Sequence, residues 1–168
     1  MTPRICHAAN LFWLSLSILA VHPGQGAEDF DVALTVKHGK ESQTARFESV
    51  AGRPAHARAV LRAKPAEKIQ ANWTVKRPAK SVAEDVLVHF FVVRESKLGQ
   101  KEVPKLAPEQ VIVESALTMD FPENGAANAQ ISFEVLNPGF YLVRIETSHT
   151  GTSELDPPFA ALELEVTP

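Results

Sequence analysis

The chain has 168 residues, 22% of them charged, and a formal net charge of −3 at neutral pH. That length fits one domain with a buried core, and the few aromatics within its basic stretch, with the export read below, argue against nucleic acid as a partner. A single cysteine, Cys6, excludes an internal disulfide, an iron–sulfur cluster and a thiolate-rich metal site.

Residues 1–26 read as a secretory signal peptide. Arg4 gives a positive start, Leu11 to Val21 is an apolar and small-residue run, and Gly24, Gly26 and Ala27 offer a cleavage site on either side of Ala27. That run is too short to span a bilayer, which takes about twenty residues. Cys6 precedes the run rather than following it, so it is not a lipoprotein cysteine and leaves with the leader. The expected product is exported to the periplasm or the extracellular space, free of thiols and without a membrane span. Its domains are expected as an N-terminal strand or hairpin over 27–54 and a sandwich over 55–168.

After the leader, almost every segment alternates apolar and polar residues with period two, the pattern of strands with one face in a core. Phe30, Val32, Leu34 and Val36 make the first stripe. Ala57, Ala59, Leu61 and Ala63 follow, then Ile69, Ala71, Trp73 and Val75. Val111, Val113 and Leu117 obey the same rule, as do Ile131, Phe133 and Val135. Tyr141, Val143 and Ile145, then Ala160, Leu162, Leu164 and Val166, complete the series. Turn residues fall between the runs at Lys64–Glu67, Pro78–Lys80, Pro122–Gly125, Asn137–Gly139 and Asp156–Pro158. Glu95 to Gln110 is the longest irregular stretch, an excursion between two strands.

The run Val86–Val93 breaks the alternation, being apolar on both faces, which predicts cover on both sides. Leu87, His89, Phe91 and Val93 occupy the phase that other strands give to water. They are the candidate interaction surface, together with the loop Glu95–Gln110. The N-terminal stripe Phe30–Val36 is the expected cover, with a partner protein as the alternative.

Charge is unevenly spread. Residues 37–80 carry eleven Lys or Arg against three Glu, whereas residues 106–168 carry one Arg against ten acidic residues. Basic early strands lying beside acidic late ones account for this through cross-strand pairs.

Asn137-Pro138-Gly139-Phe140-Tyr141-Leu142-Val143 resembles the start of strand F in immunoglobulin-like domains, with Val143 where the core cysteine stands. Trp73 is similar to the buried strand-B tryptophan of fibronectin type III domains. The resemblance spans roughly residues 55–167. It implies an all-β antiparallel sandwich, with the extra N-terminal strand or hairpin outside it. It also implies a tyrosine corner, in which the Tyr141 hydroxyl bonds backbone a few residues upstream. Trp73, Gly139 and Tyr141 are the expected structural residues.

No nucleophile elbow, zinc-protease helix, phosphate loop or dinucleotide fingerprint is present, so no catalytic residue and no cofactor is expected. The sharper chemistry is a copper site drawing on His89, Met119 and His149, whose nitrogen and thioether donors suit copper in exported proteins. The final third is similar to periplasmic copper-resistance sandwiches, but lacks their N-terminal histidine and methionine cluster, so metal ligands are not the expectation. The expectation is therefore a non-catalytic module that binds another protein, with a metal-binding accessory as the alternative.

Overall fold

The computed structural model describes residues 30–46, 58–77, 80, 82–149 and 157–168. The signal peptide, the expected domain boundary at 54/55 and the side chain of His149 lie outside the described residues. In chain order the strands are β1 (Asp31–His38), β2 (Glu41–Arg46), β3 (Val60–Ala63), β4 (Lys68–Lys76), β5 (Ala83–Glu95), β6 (Val111–Phe121), β7 (Ala126–Glu134), β8 (Gly139–His149) and β9 (Phe159–Val166). They form a four-stranded sheet ordered β2-β1-β4-β7 and a five-stranded sheet ordered β3-β9-β8-β5-β6. Every pairing is antiparallel except β3 with β9. The fold is an all-β sandwich of immunoglobulin-like type.

The alternating stripes face each other between the sheets. Val32, Leu34 and Val36 of β1 meet one core with Ile69, Ala71, Trp73 and Val75 of β4, Val88, Phe90 and Val92 of β5, and Tyr141, Val143 and Ile145 of β8. Trp73 and Tyr141 thus share a core, from strands in opposite sheets. Phe30 closes one end edge-on to Phe121, ring centroids 5.3 Å apart, with the Arg77 guanidinium over its face.

The chain turns where the breakers predict at Lys64–Glu67, Pro122–Gly125 and Asn137–Gly139, while Pro78, Ala79 and Asp156 lie outside the described residues. The Tyr141 hydroxyl donates to the Asn137 carbonyl oxygen at 2.8 Å, completing the corner. Gly139 holds φ at +153°, and a Cβ there would come within 3.3 Å of the Arg94 guanidinium, so glycine lets the chain enter β8 past that side chain. Pro122–Gly125 does not close a hairpin within one sheet. It is a corner that carries the chain from β6 in one sheet to β7 in the other, with the Gly125 N–H donating to the Pro122 carbonyl at 2.9 Å.

Two expectations are corrected. The N-terminal stripe does not lie over the outer face of Val86–Val93. β1 instead pairs along β4 from Asp31–Lys76 to Lys37–Gln70 and turns its stripe into the main core. The physical reason is that β1 has one apolar face, and edge-to-edge hydrogen bonding to β4 buries that face while satisfying its backbone groups. Stacking it over the second sheet would leave those groups unpaired.

Nor are Leu87, His89, Phe91 and Val93 a free interaction surface. Phe91 and Val93 are fully buried in a small second cluster with Leu142 and Ala161, against which Val111 and Phe159 pack. Leu87 and His89 are half-buried. The apolar outward phase of β5 therefore has cover within the chain.

Candidate functional site

The outer face of the five-stranded sheet is built in rows set by strand register. One row runs Glu163 (β9), Leu142 (β8), Val93 (β5) and Val111 (β6); the next runs Ala161, Arg144, Phe91 and Glu114; a third runs Phe159, Glu146, His89 and Ala116. Apolar side chains hold the middle of this face and charged ones flank them.

On one flank, Arg144 Nε donates to Glu146 Oε2 at 2.6 Å, and its guanidinium stacks 3.8 Å from the Phe159 ring centroid. His89 Nε2 lies 3.0 Å from Glu114 Oε1, and its Nδ1 lies 3.5 Å from Glu146 Oε1. The hydrogen bond to Glu146 is the largest influence on the imidazole and, with Glu114, raises its pKa against the opposing effect of burial. Burial alone would push the Glu146 carboxyl up, but His89 and Arg144 hold it below the usual range. When protonated, the His89 imidazole between two carboxylates forms a structural ion-pair relay across β6, β5 and β8.

On the other flank, Arg58 Nη1 lies 3.5 Å from Glu95 Oε1 and 3.6 Å from Glu163 Oε1, and donates to the Gln100 carbonyl at 2.8 Å. Glu163 accepts the Gly99 N–H at 2.7 Å. The first turn of the long loop is thus pinned onto the sheet by a cluster of two carboxylates and one guanidinium. Glu95 is wholly buried, and among the described residues neither of its oxygens has a hydrogen-bond partner. Desolvation raises its pKa to about 7, with Arg58 opposing.

The strand register divides the copper candidates between the two phases of the sheet. Met119 and His149 both pair in register with Val86, from β6 and β8 on its two sides. Their backbones are therefore two strand spacings apart, roughly 9–10 Å. His89 lies on the opposite phase of β5, and its two ring nitrogens face Glu114 and Glu146. Among the described residues, no three His, Cys, Asp or Glu side chains are disposed to hold a metal ion.

The accessible feature is the side of the sandwich where β6 and β7 end the two sheets. Neither strand has a second partner among the described residues. Val113, Ser115, Leu117 and Met119 of β6 share the phase of the core residues Val92, Phe90, Val88 and Val86 opposite them. Yet Leu117 is 40% exposed, and Ala129 of β7, in register with the core residue Trp73, is exposed as well. The sandwich is incompletely closed there, leaving an apolar seam beside an unpaired strand. Sequence reasoning missed this edge. Alternation assigns a residue to a phase, but which strand lies outermost depends on sheet order. The one available signal was that β6 contains no Lys or Pro, two of the residues that blunt an edge.

No family model matches this chain, and no curated protein is significantly similar in sequence. Among solved structures, it is similar to the CARDB domain of PF1109 from Pyrococcus furiosus in solution. That match has 10% identity and a TM-score of 0.47, covering 83% of this chain and 97% of that one. A crystal structure of that CARDB domain in complex with di-metal ions matches at 9% identity and a TM-score of 0.46, over 86% and 95% of the two chains. The PmoD soluble domain from Methylocystis sp. matches at 10% identity and a TM-score of 0.46, over 81% and 90%.

Proposed function

We propose that this chain is an exported, non-catalytic immunoglobulin-like module that binds another protein through the open β6/β7 edge. The carrying observation is Leu117, whose side chain is 40% exposed although it stands on the core-facing phase of an eleven-residue strand with no second partner among the described residues. Unpaired N–H and C=O groups along such an edge bind an added strand through main-chain hydrogen bonds, while an apolar seam beside them supplies side-chain pockets. The non-catalytic part is supported by the outer-face charges, which are spent on one another: Arg58 with Glu95 and Glu163, and His89 with Glu114 and Glu146. Export is supported by the leader pattern of residues 1–26.

A photo-crosslinking residue at Leu117, in the full chain produced with its own leader, tests the reading. An exported product that forms a discrete protein adduct from position 117, and none from the exposed turn at Lys40, is the expected result. A protein retained in the cytoplasm, or one that gives no adduct from position 117, overturns it.

A further inference from the structure

We propose that the occupant of the β6 edge is a second copy of this chain, paired antiparallel through β6 about a two-fold axis at Ala116. The inference rests on the reading of this edge as a protein-binding surface and names the partner.

The register of β6 on β5 is regular from Val113 to Met119. It is interrupted on one side between Val113 and Val111, and on the other beyond Met119, where Ala83 and Val86 flank the irregularity. A regular seven-residue run is the part of the strand flat enough to accept another strand, and Ala116 is its centre. An axis there sets Val113 against Met119 of the second copy, Glu114 against Thr118, and Ser115 against Leu117.

Charge and length select this axis over its neighbours. Both sandwiches keep their core-facing sides on the same side of a shared sheet only when the paired residue numbers sum to an even value, so the axis must pass through a residue. At Leu117 it would oppose Glu114 to Asp120, and at Glu114 it would oppose that carboxylate to its own copy. Like charges directly opposite destabilise a strand pair. At Ser115 the pairing would run into the irregularity beyond Val113. At Ala116 no acidic residue faces another, and a small, exposed side chain meets itself on the axis.

The pairing also answers the incomplete closure of the sandwich. Leu117 and Met119 of one copy come beside Ser115 and Val113 of the other on the core-facing side, extending the apolar seam across the axis. Hydrogen bonding between the two strands satisfies both exposed edges at once, and the five-stranded sheets join into one of ten, near the upper size for a twisted open sheet.

The test uses the exported chain in a Cys6→Ser background, so that any engineered cysteine is the sole thiol. Directly opposed residues of an antiparallel pair have Cα atoms about 4.5–5.5 Å apart, inside the range a disulfide bridges. Ala116→Cys should therefore oxidise to a covalent dimer. Thr118→Cys, displaced four positions from its own copy, should stay monomeric under the same oxidant. Sedimentation should show a dimer for the parent chain and a monomer for Ala116→Lys, with an unchanged unfolding midpoint in the dissociated state. A monomeric parent, or equal crosslinking from positions 116 and 118, overturns the proposal. A position-117 adduct with a different protein, with no Ala116→Cys dimer, would overturn self-pairing while leaving the protein-binding reading standing.

Discussion

The Tyr141 hydroxyl reaches back four residues to the Asn137 carbonyl across 2.8 Å, tying the start of β8 to the loop that delivers it. The tyrosine ring is fully buried while its oxygen meets backbone at the edge of the core, and burial raises its pKa. Tyr141→Phe keeps the ring and removes the tie, so it should lose about 1 kcal/mol of stability, the usual net worth of one hydrogen bond. Urea unfolding measures this directly, and an unchanged midpoint would mean that the corner contributes shape without energy.

Trp73 carries more. It is 5% exposed between β1 and β7 in the main core, and its indole N–H has no hydrogen-bond partner among the described residues. Trp73→Ala should destabilise the fold by about 3–5 kcal/mol. Trp73→Phe, which fills most of the volume and removes the unpaired donor, should recover much of that loss. Equal midpoints for the two variants would show that the site collapses around alanine.

Much of this architecture was legible in residue order because period-two alternation is a local signal. The stripes of β1, β4, β8 and β9 turn inward as read, and Tyr141 bonds back to Asn137 in the corner that the immunoglobulin-like resemblance implies. The charge asymmetry resolves in part as cross-strand pairing, with Arg62 of β3 donating to Glu165 of β9 at 2.9 Å. What could not be read is which strands neighbour one another. The stripe Phe30–Val36 needed burial, and nothing local distinguishes pairing with β4 from stacking over β5. The same blindness hid the β6 edge and made an interaction surface of Phe91 and Val93, whose cover comes from Leu142 and Ala161 of the neighbouring strands. The buried Glu95 was equally hidden, because its neighbours Arg58 and Glu163 come from distant parts of the chain.

His89 should titrate above the ordinary histidine value, and Glu146 should matter more to it than Glu114, since the Glu146 hydrogen bond is the leading cause of the shift. Glu146→Gln should therefore lower the His89 pKa further than Glu114→Gln does, as read by NMR of the ring protons. Below pH 6.5 the imidazole is charged in both folded and unfolded chains, and its two ion pairs contribute in full. As pH rises through the raised folded value, the folded chain gives up that proton and the contribution is lost. Glu146, held low, adds stability above its ordinary pKa of 4.5 that is lost as pH falls through its folded value. A His89 pKa at or below 6.5 would contradict the geometry.

Glu95 gives the fold a second pH dependence of the same sign but a different origin. Its carboxyl is wholly buried, its oxygens make no hydrogen bond among the described residues, and Glu163 adds a second negative charge beside the guanidinium of Arg58. Desolvation therefore lifts its pKa from 4.5 to about 7. Below pH 4.5 both folded and unfolded chains carry the proton, and the core is spared the larger cost of a buried charge. Between about 4.5 and 7 the unfolded chain ionises while the folded chain still holds its proton, so stability falls as pH rises and levels off above about 7. Glu95→Gln removes the titration. It should flatten that part of the stability profile and leave the variant more stable than the parent at pH 8, by about 1–3 kcal/mol, the usual penalty for a buried charged or unsatisfied group. Since Gly99 and Gln100 are held by Glu163 and Arg58 rather than by Glu95, the loop should stay docked in this variant. Hydrogen exchange at the Gly99 amide reports that independently. A Glu95→Gln protein with the parent's slope between pH 5 and 7 would place the titrating group elsewhere.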